Sequence, residues 1–377
     1  MRIGVPKEIK DQENRVGLTP SSVHELTARN HEVYVEQHAG DSSGFCEESY
    51  RLAGATILPS AEEVFEVADL IVKVKEPQPE ECKRLKEDQI LFTFLHLAPD
   101  PIQAELLIRS GCTAIAYETV TDEQKSLPLL TPMSEIAGRF SIQAGAHCLE
   151  KSQGGRGMLL GGVPGVAPAS VVILGGGVAG TEALRVALGM GASVTVLDKS
   201  LKRLRELETQ FSGRMITSYA SRDNVEQWVV MADLVVGAVL IPGATAPKVV
   251  TRAMIQKMNK GSVIVDVSID QGGCFETSRP TTHSSPTFID EGVVHYCVGN
   301  MTGAVPLTAT LALNNATLPY VCLLADKGYR QACKENPFLR KGMNVCNGRI
   351  THPAVAEALK IPYTSAESML DVLSTQV

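Results

Sequence analysis

The chain has 377 residues, 44% of them hydrophobic and 20% charged, a composition typical of a soluble globular protein. That length exceeds what one hydrophobic core normally organises, so we expect two domains of about 150 to 200 residues each. The formal net charge of −7 at pH 7 provides no basic surface for a phosphate backbone, which argues against a nucleic-acid partner and favours a small molecule.

The N-terminal segment, MRIGVPKEIKDQENR, carries charges and a proline where a signal peptide needs an apolar run. The nine cysteines are scattered without CxxC spacing, a pattern typical of buried thiols in a reducing compartment. No uninterrupted apolar stretch reaches the roughly 18 to 20 residues that a membrane span needs. These features predict a cytoplasmic protein without a membrane partner.

Short apolar segments alternate with amphipathic segments from the first residue, which predicts repeated β-α-β units. The predicted strands are MRIGV, EVYVEQ, DLIVKVK, ILFTFLH and TAIAYET, and the predicted helices are SSVHELTARN, SYRLAGA, AEEVFEV, PEECKRLKED and PIQAELLIRSG. Strands this apolar, joined by helices, favour an open parallel sheet. We expect this first sheet to end near Glu118.

A second series of elements follows a linking segment. Residues 133–150 have helical spacing of small and apolar side chains, and the glycine-rich stretch 152–170 predicts a loop or irregular hairpin. The strands predicted next are ASVVILGG, SVTVLD, MITSYA, DLVVGAVL, SVIVDVSID and VVHYCV, with helices between most of them. This series predicts a doubly wound domain.

The first turn of this series, GGGVAG, matches the pattern GxGxxG at Gly175, Gly177 and Gly180. A strand precedes it and a helix follows it, which is the context of a dinucleotide-binding turn. Gly175 permits the tight turn, Gly177 lets phosphates approach the backbone, and Gly180 lets helix and strand pack closely. The helix N-terminal amides near Val178 and Ala179 would face the phosphates. A purely structural glycine turn remains the alternative.

An acidic residue ends the next predicted strand, SVTVLD. Asp198 lies close to the ~20-residue offset expected of the carboxylate that accepts hydrogen bonds from a ribose. Its charge would repel a 2′-phosphate, so the sequence favours NAD over NADP. The cations at Lys199, Lys202 and Arg203 weaken that preference, because they could tolerate the phosphate.

The last part of the chain contains a long apolar stretch and two further helical segments. Residues 304–325 include two prolines and two asparagines, which favour a buried helix over a membrane span. The tail, with AVAEAL and ESMLDVL, has no predicted sheet of its own, so we expect it to pack back on the first domain.

Three polar residues lie where strands of the first domain end, the edge at which open α/β sheets bind ligands. Lys75 ends DLIVKVK, His96 ends ILFTFLH, and Arg15 lies in the loop after the first strand. Each has an ordinary alternative. Lys75 alternates with Lys73 and both could lie on a solvated edge, His96 could be a core or loop histidine, and Arg15 could be a surface arginine.

Taken together, ENRVGLTP, VKVKEP, TFLHLA, the glycine motif and VDVSIDQGGCFETSRPTTHSSPTF resemble the bacterial L-alanine dehydrogenase family over essentially the whole chain. Some of these motifs recur in the related transhydrogenase alpha subunits. The resemblance implies an NAD-dependent enzyme that interconverts L-alanine with pyruvate and ammonium, usually as a homo-oligomer and often as a hexamer. Two alternatives stay open: a hydride-transferring transhydrogenase subunit and a catalytically silent NAD-binding scaffold.

The resemblance also implies roles for individual residues. Arg15 would hold the substrate carboxylate, Lys75 would hydrogen-bond the pyruvate carbonyl or carboxylate, His96 would be the general acid and base, and Asp270 would orient and polarise the site. Further positions would line the cofactor: Ser134, Arg203, Val239, Leu240, Val267, Ser268, Ile269, Asp270, Arg279, Val298, Asn300 and Met301. The histidines show no paired spacing, so no metal is predicted. The chain departs from the family pattern at Ala220, Thr302 and Leu307.

The expected architecture is therefore an α/β protein with two doubly wound Rossmann-like domains and parallel sheets. The substrate domain would be discontinuous, with residues 1–129 and 307–377, and the NAD-binding domain would span residues 130–306. The active site is expected in the cleft between the domains.

Overall fold

A computed structural model describes residues 1–239 and 246–372 of the chain. The chain forms two compact units, one made of Met1–Met133 together with Val305–Val377 and the other of Ser134–Ala304. Each unit is built around its own mostly parallel sheet, so the expected α/β fold class is confirmed.

The first unit begins with six parallel strands and the helices between them. The strands are β1 (Arg2–Val5), β2 (Glu32–Glu36), β3 (Thr56–Leu58), β4 (Leu70–Val72), β5 (Ile90–Thr93) and β6 (Thr113–Ala116). The helices are α1 (Pro20–Ala28), α2 (Glu47–Leu52), α3 (Ala61–Val67), α4 (Pro79–Cys82) and α5 (Pro101–Ser110). Every residue of β4, β5 and β6 is buried, as expected for parallel strands covered on both faces.

Helix α6 (Thr131–Cys148) leads into the second unit, and the boundary between the units falls within it. The strands that follow are β7 (Ser170–Leu174), β8 (Ser193–Asp198), β9 (Ile216–Tyr219), β10 (Leu234–Gly237), β11 (Val263–Asp266), β12 (Thr287–Asp290) and β13 (Val293–Tyr296). The helices are α7 (Val178–Gly189), α8 (Leu201–Gln210), α9 (Arg222–Met231) and α10 (Arg252–Gln256). The sheet order is β12-β13-β11-β10-β7-β8-β9, and β12 is antiparallel to its neighbour β13.

The chain then returns to the first unit through α11 (Pro306–Glu335), α12 (Pro337–Arg340), β14 (Met343–Cys346), β15 (Arg349–Ile350), α13 (Pro353–Leu359) and α14 (Ala366–Val372). The first sheet has the order β15-β14-β6-β5-β4-β1-β2-β3, with β14 antiparallel to β6 and β15 antiparallel to β14. The tail thus adds two strands to the first sheet, and these strands were not predicted from the sequence. Asn347 and Gly348 join the two strands with φ values of 45° and 76°, the left-handed pair that an Asn-Gly hairpin turn adopts.

Helix α11 covers the apolar stretch expected to be a buried helix. Its residues Ala309, Leu313 and Leu324 are buried, whereas Leu307 is 50% and Leu311 45% exposed. Only one face of the helix is therefore buried, which corrects the prediction. In the described part of the chain, α11 is long and apolar enough to cross a membrane, a test that core helices also pass.

Candidate functional site

Three candidate side chains of the first unit follow three neighbouring parallel strands. Arg15 lies in the loop after β1, Lys75 in the loop after β4 and His96 in the loop after β5, and the sheet order places these strands side by side. The strand order reverses between β1 and β4, which is where open α/β sheets bind ligands. The loop after β1 also packs tightly on β4, since a Cβ on Gly17 would lie 2.4 Å from the Val72 carbonyl oxygen.

Arg15 is buried rather than a surface arginine, with 2% of its surface exposed. Its Nε donates to Glu13 Oε1 at 2.7 Å, its Nη2 donates to Glu13 Oε2 at 2.6 Å, and its Nη1 contacts the sulfur of Met133 at 3.1 Å. The Nε and Nη2 edge of the guanidinium is thus engaged by Glu13. A second carboxylate would use the Nη1 side or replace Glu13. Glu13 was not identified from the sequence.

The two lysines near the end of β4 have different environments. β4 ends at Val72, so neither lysine belongs to the strand. The Lys73 side chain is fully buried and forms ion pairs with Glu8 at 2.9 Å and Glu81 at 2.7 Å, whereas Lys75 is half-buried in the loop beyond. The alternative that both lysines lie on a solvated edge of the sheet is therefore wrong. Of the two lysines, only Lys75 keeps part of its surface exposed to solvent.

His96 is an exposed side chain on an unusual backbone. Its φ is 50°, in the left-handed region that non-glycine residues adopt at a cost and that recurs at functional sites. The Glu118 carboxylate holds this conformation by accepting the His96 backbone N–H at 2.6 Å and the Leu95 N–H at 3.2 Å. The imidazole stacks on Phe94 with ring centroids 5.8 Å apart. Glu118 lies in the short 3-10 turn Tyr117–Thr119 that follows β6, and the sequence analysis assigned it no role.

In the second unit the glycine turn joins β7 to α7. Gly175 has a φ of 100°, and a Cβ there would lie 2.5 Å from the Ala238 carbonyl oxygen, while a Cβ on Gly180 would lie 1.8 Å from the Gly175 oxygen. The fold therefore requires glycine at these two positions, whether or not a cofactor binds. A Cβ on Gly177 would meet nothing within 4 Å, although Gly177 caps the N-terminus of α7. The protein's own packing does not explain that glycine, and the space beside it fits a phosphate group at uncapped helix amides.

Asp198 ends β8 beside this turn. One carboxylate oxygen accepts the Gly176 N–H and the other accepts the Ser200 N–H, each at 2.7 Å. Arg203 reaches back to the same turn, where its Nε donates to the Gly176 carbonyl at 2.6 Å and its Nη2 donates to Thr181 Oγ1 at 2.7 Å. Both side chains therefore lie beside the glycine turn and stabilise it through hydrogen bonds. Ribose recognition by Asp198 would use lone pairs that these contacts leave on the carboxylate.

Asp270 does not end a strand as expected, because β11 stops at Asp266 and Asp270 lies in the single turn of 3-10 helix that follows. Asp270 is exposed, and its Oδ2 accepts the Asn300 N–H at 3.4 Å. Asp266 is buried and accepts the Ser278 hydroxyl at 2.6 Å and the Cys274 N–H at 3.0 Å. Burial raises the pKa of Asp266, and the hydrogen bonds that its carboxylate accepts oppose that rise. Asp266 thus anchors the loop that presents Asp270.

The remaining predicted cofactor positions lie on several loops of the second unit. Asn300 has a φ of 57°, and its carbonyl bonds His283 at 3.1 Å. Arg279 lies over the ring of Phe288 at 4.2 Å, on the side of β12. Ser134 lies in the first turn of α6, Val239 follows β10, and the other positions are buried or half-buried in loops after β11 and β13: Val267, Ser268, Ile269, Val298 and Met301. Leu240 lies outside the described residues.

Comparisons with known proteins cover both units. A family model described as "Alanine dehydrogenase/PNT, N-terminal domain" matches residues 4–137, and one described as "Alanine dehydrogenase/PNT, C-terminal domain" matches residues 141–353. A curated relative named alanine dehydrogenase from Halomonas elongata is 54% identical over 370 residues, which cover 98% of this chain and 100% of the relative. A relative of the same name from Methanococcus maripaludis is 55% identical over 372 residues, with the same two coverages.

Solved structures give the same picture at two levels of similarity. A structure titled L-alanine dehydrogenase matches with a TM-score of 0.93 and 54% identity, over 96% of this chain and 99% of that one. A transhydrogenase structure from Sinorhizobium meliloti matches with a TM-score of 0.80 over 94% of this chain and 100% of that one. Its sequence is only 23% identical, so this second match concerns the fold alone.

Proposed function

The chain belongs to the alanine dehydrogenase/PNT family, and from that membership we propose how its residues carry out the reaction. The protein is an alanine dehydrogenase, an oxidoreductase that uses NAD to convert L-alanine reversibly to pyruvate and ammonium. The observation that supports our assignment of roles is the placement of Arg15, Lys75 and His96 after three neighbouring parallel strands.

The first unit provides groups suited to a small α-amino or α-keto acid. Arg15 binds the substrate carboxylate, because a guanidinium can donate two parallel hydrogen bonds to a carboxylate. Its pairing with Glu13 holds the guanidinium plane in one orientation before substrate arrives. Lys75 donates to the carbonyl or carboxylate oxygen of pyruvate. The methyl group of alanine needs only a small apolar pocket.

The second unit provides groups that fit NAD. Gly177 leaves space for the pyrophosphate at the N-terminus of α7, and Asp198 stands at the end of β8 for the ribose hydroxyls. Residues 267–270 and Asn300 lie on loops suited to the nicotinamide end. The chemistry that NAD supplies when bound is acceptance of a hydride from the substrate α-carbon.

His96 handles the protons of the reaction. In the oxidative direction the imidazole takes a proton from the water that attacks the iminium carbon of the substrate. It returns that proton to the nitrogen of the resulting carbinolamine, so that the C–N bond breaks, ammonia leaves and the hydroxyl loses its proton as the carbonyl forms; the reductive direction reverses these steps. The Glu118 contacts hold the backbone so that the imidazole stays exposed. Asp270 polarises the active site with the negative charge of its carboxylate.

The experiment that tests this proposal follows the oxidation of NADH by its absorbance, with the purified protein. We expect oxidation that requires both pyruvate and ammonium, and a screen of small L-amino acids with NAD and NADP in the reverse direction in which alanine with NAD is fastest. His96→Ala should lower kcat by about 10²- to 10⁴-fold with an unchanged Kd for NADH. His24→Ala, at an exposed position on α1, is the control that should stay at the wild-type rate.

Other outcomes would contradict the proposal. Hydride exchange between two nucleotides without pyruvate would indicate a transhydrogenase subunit, and NADH binding without any turnover would indicate a silent scaffold. A wild-type rate for His96→Ala would remove His96 from the mechanism.

We also propose a cytoplasmic homo-oligomer, with a hexamer favoured. The exposed side chains Leu307 and Leu311 on α11 support self-association, because apolar surface on a long helix is stabilised by burial against another copy. Light scattering after size-exclusion chromatography tests the oligomer. A monomer at micromolar concentration would refute it.

A further inference from the structure

We propose that Glu8 is a positioning residue for Lys75: its buried carboxylate holds the backbone of the loop that presents the Lys75 side chain to substrate. The inference rests on the substrate-binding role proposed for Lys75. The segment concerned, residues 73–78, is called the lysine loop below. It connects β4 to α4.

Both carboxylate oxygens of Glu8 are engaged. Oε1 accepts the backbone N–H of Val74 at 2.6 Å and that of Lys75 at 3.3 Å, while Oε2 accepts from Lys73 Nζ at 2.9 Å. Glu8 is only 7% exposed, so water does not compete strongly for these contacts. Glu8 thus accepts a hydrogen bond from the backbone amide of Lys75 directly.

The charge on Lys73 keeps Glu8 in place. Burial raises the pKa of Glu8, and the Lys73 ammonium opposes that rise. Burial also acts against the charged form of Lys73, but Glu8 and Glu81 outweigh it and raise the pKa of Lys73. A buried charge that loses its partner is strongly unfavourable. The Glu8 carboxylate is therefore restrained between an ammonium on one side and the lysine loop on the other.

Other buried groups fix the same loop at different points. Thr93 Oγ1 donates to the Lys75 carbonyl at 2.9 Å, and the Tyr117 hydroxyl donates to the Lys73 carbonyl at 2.9 Å. Glu81 bonds Lys73 at 2.7 Å through one oxygen and accepts the Gln78 N–H at 2.7 Å through the other. Glu81 resembles Glu8 in burial and in pairing with Lys73, but its backbone contact is three residues beyond Lys75.

The arrangement concerns function because a lysine side chain is long and flexible. Lys75 is half-buried, while the N–H and carbonyl at its root are both bonded to buried side chains. Fixing the root limits the positions the ammonium can reach, and a displacement of about 1 Å in a substrate-binding group can cost about 10²-fold in rate. Glu8 would therefore affect substrate binding without contacting substrate.

The experiment compares Glu8→Gln with Glu81→Gln, two isosteric changes that each remove one carboxylate from Lys73. In Glu8→Gln the side-chain amide must direct its NH₂ at the Lys73 ammonium or at the loop N–H groups, so one set of contacts is lost. We expect the KM for pyruvate to rise at least 10-fold in Glu8→Gln and less than 2-fold in Glu81→Gln. The kcat should stay within about 3-fold and the Kd for NADH should be unchanged in both. Equal KM changes in the two variants, or a wild-type KM in Glu8→Gln, would overturn the inference.

A second pair covers the case in which Glu8→Gln does not fold. Thr93→Val removes the hydroxyl bonded to the Lys75 carbonyl. Thr113→Val removes a buried hydroxyl at the start of the neighbouring strand β6, where it contacts Cys346. We expect the KM for pyruvate to rise about 3-fold or more in Thr93→Val and to stay at the wild-type value in Thr113→Val. No difference between these two would refute the role of the loop contacts.

Amide hydrogen exchange in the free protein tests the contact without relying on activity. The peptide containing Val74 and Lys75 should exchange faster in Glu8→Gln than in Glu81→Gln, and equal rates would refute the positioning role. Wild-type protein that fails to oxidise NADH with pyruvate and ammonium would instead refute the proposed function. The two failures are therefore separate results.

Discussion

Replacing Gly177 with alanine separates the needs of the fold from those of the cofactor. The residue caps α7 with a φ of −67° and a ψ of −164°, an extended conformation open to any L-residue. A Cβ there would have no neighbour within 4 Å, whereas one on Gly180 would lie 1.8 Å from the Gly175 oxygen. The fold therefore tolerates a methyl group at 177 but not at 180.

The expected magnitudes follow from these contacts. Alanine is a poorer N-cap than glycine by up to about 1 kcal/mol, and the reduced entropy of the unfolded chain returns about 0.4 to 1 kcal/mol, so the free energy of unfolding should change by less than about 1 kcal/mol. A methyl group forced against a bound phosphate costs about 1 to 3 kcal/mol. That energy corresponds to an increase of about 5- to 150-fold in the Kd for NADH.

Isothermal titration with NADH and thermal unfolding measure the two quantities on the same sample. Gly189→Ala is the matched control, because Gly189 ends α7 and a Cβ there also has no neighbour within 4 Å. It should leave the Kd unchanged. If Gly177→Ala bound NADH with the wild-type Kd and a native melting temperature, phosphates would not approach the backbone at Gly177, and the cofactor assignment at this turn would be refuted.

Three further changes test other parts of the molecule. Asp198→Gly should lower the KM for NADPH at least 10-fold, because it removes a negative charge, and it should lower the melting temperature because the Gly176 N–H loses its acceptor. Undetectable NADPH use in steady-state assays would show that this charge does not set the preference for NAD over NADP. Gly299→Ala would place a Cβ 3.0 Å from Asp270 Oδ1 and displace that carboxylate. The kcat should therefore fall about 10-fold, while the Kd for NADH should change less than about 3-fold. A wild-type kcat would argue against a role for Asp270. Burial lowers the pKa of His295, so the unfolded chain takes up a proton at a higher pH than the folded chain does. The melting temperature should therefore fall as the pH drops below about 6.5, and it should fall less steeply in His295→Gln. Equal dependence of the melting temperature on pH in wild type and variant between pH 7 and 5 would contradict this linkage.

Sequence patterns were sufficient for the parts of the protein that depend on neighbouring residues. Most strands and helices, the glycine turn and the polar residues after β1, β4 and β5 follow from local periodicity and from residues with special backbone freedom, although β3 and β12 were not predicted. The hairpin at Asn347 and Gly348 was also within reach, because Asn-Gly is a strong turn signal. It was missed because its strands, Met343–Cys346 and Arg349–Ile350, are too short to show a period.

Only the tertiary structure showed which side chains support the candidate site. Glu8 meets Lys73 across 65 positions of sequence, and Glu118 meets the His96 backbone across 22. Nothing in the local pattern distinguishes Lys73, fully buried between two carboxylates, from the half-exposed Lys75 two positions later. Local sterics and burial decide whether a segment forms a helix, strand or turn. The pairing of distant charges depends instead on which strands become neighbours, and that order is decided by the packing of the whole sheet and its helices.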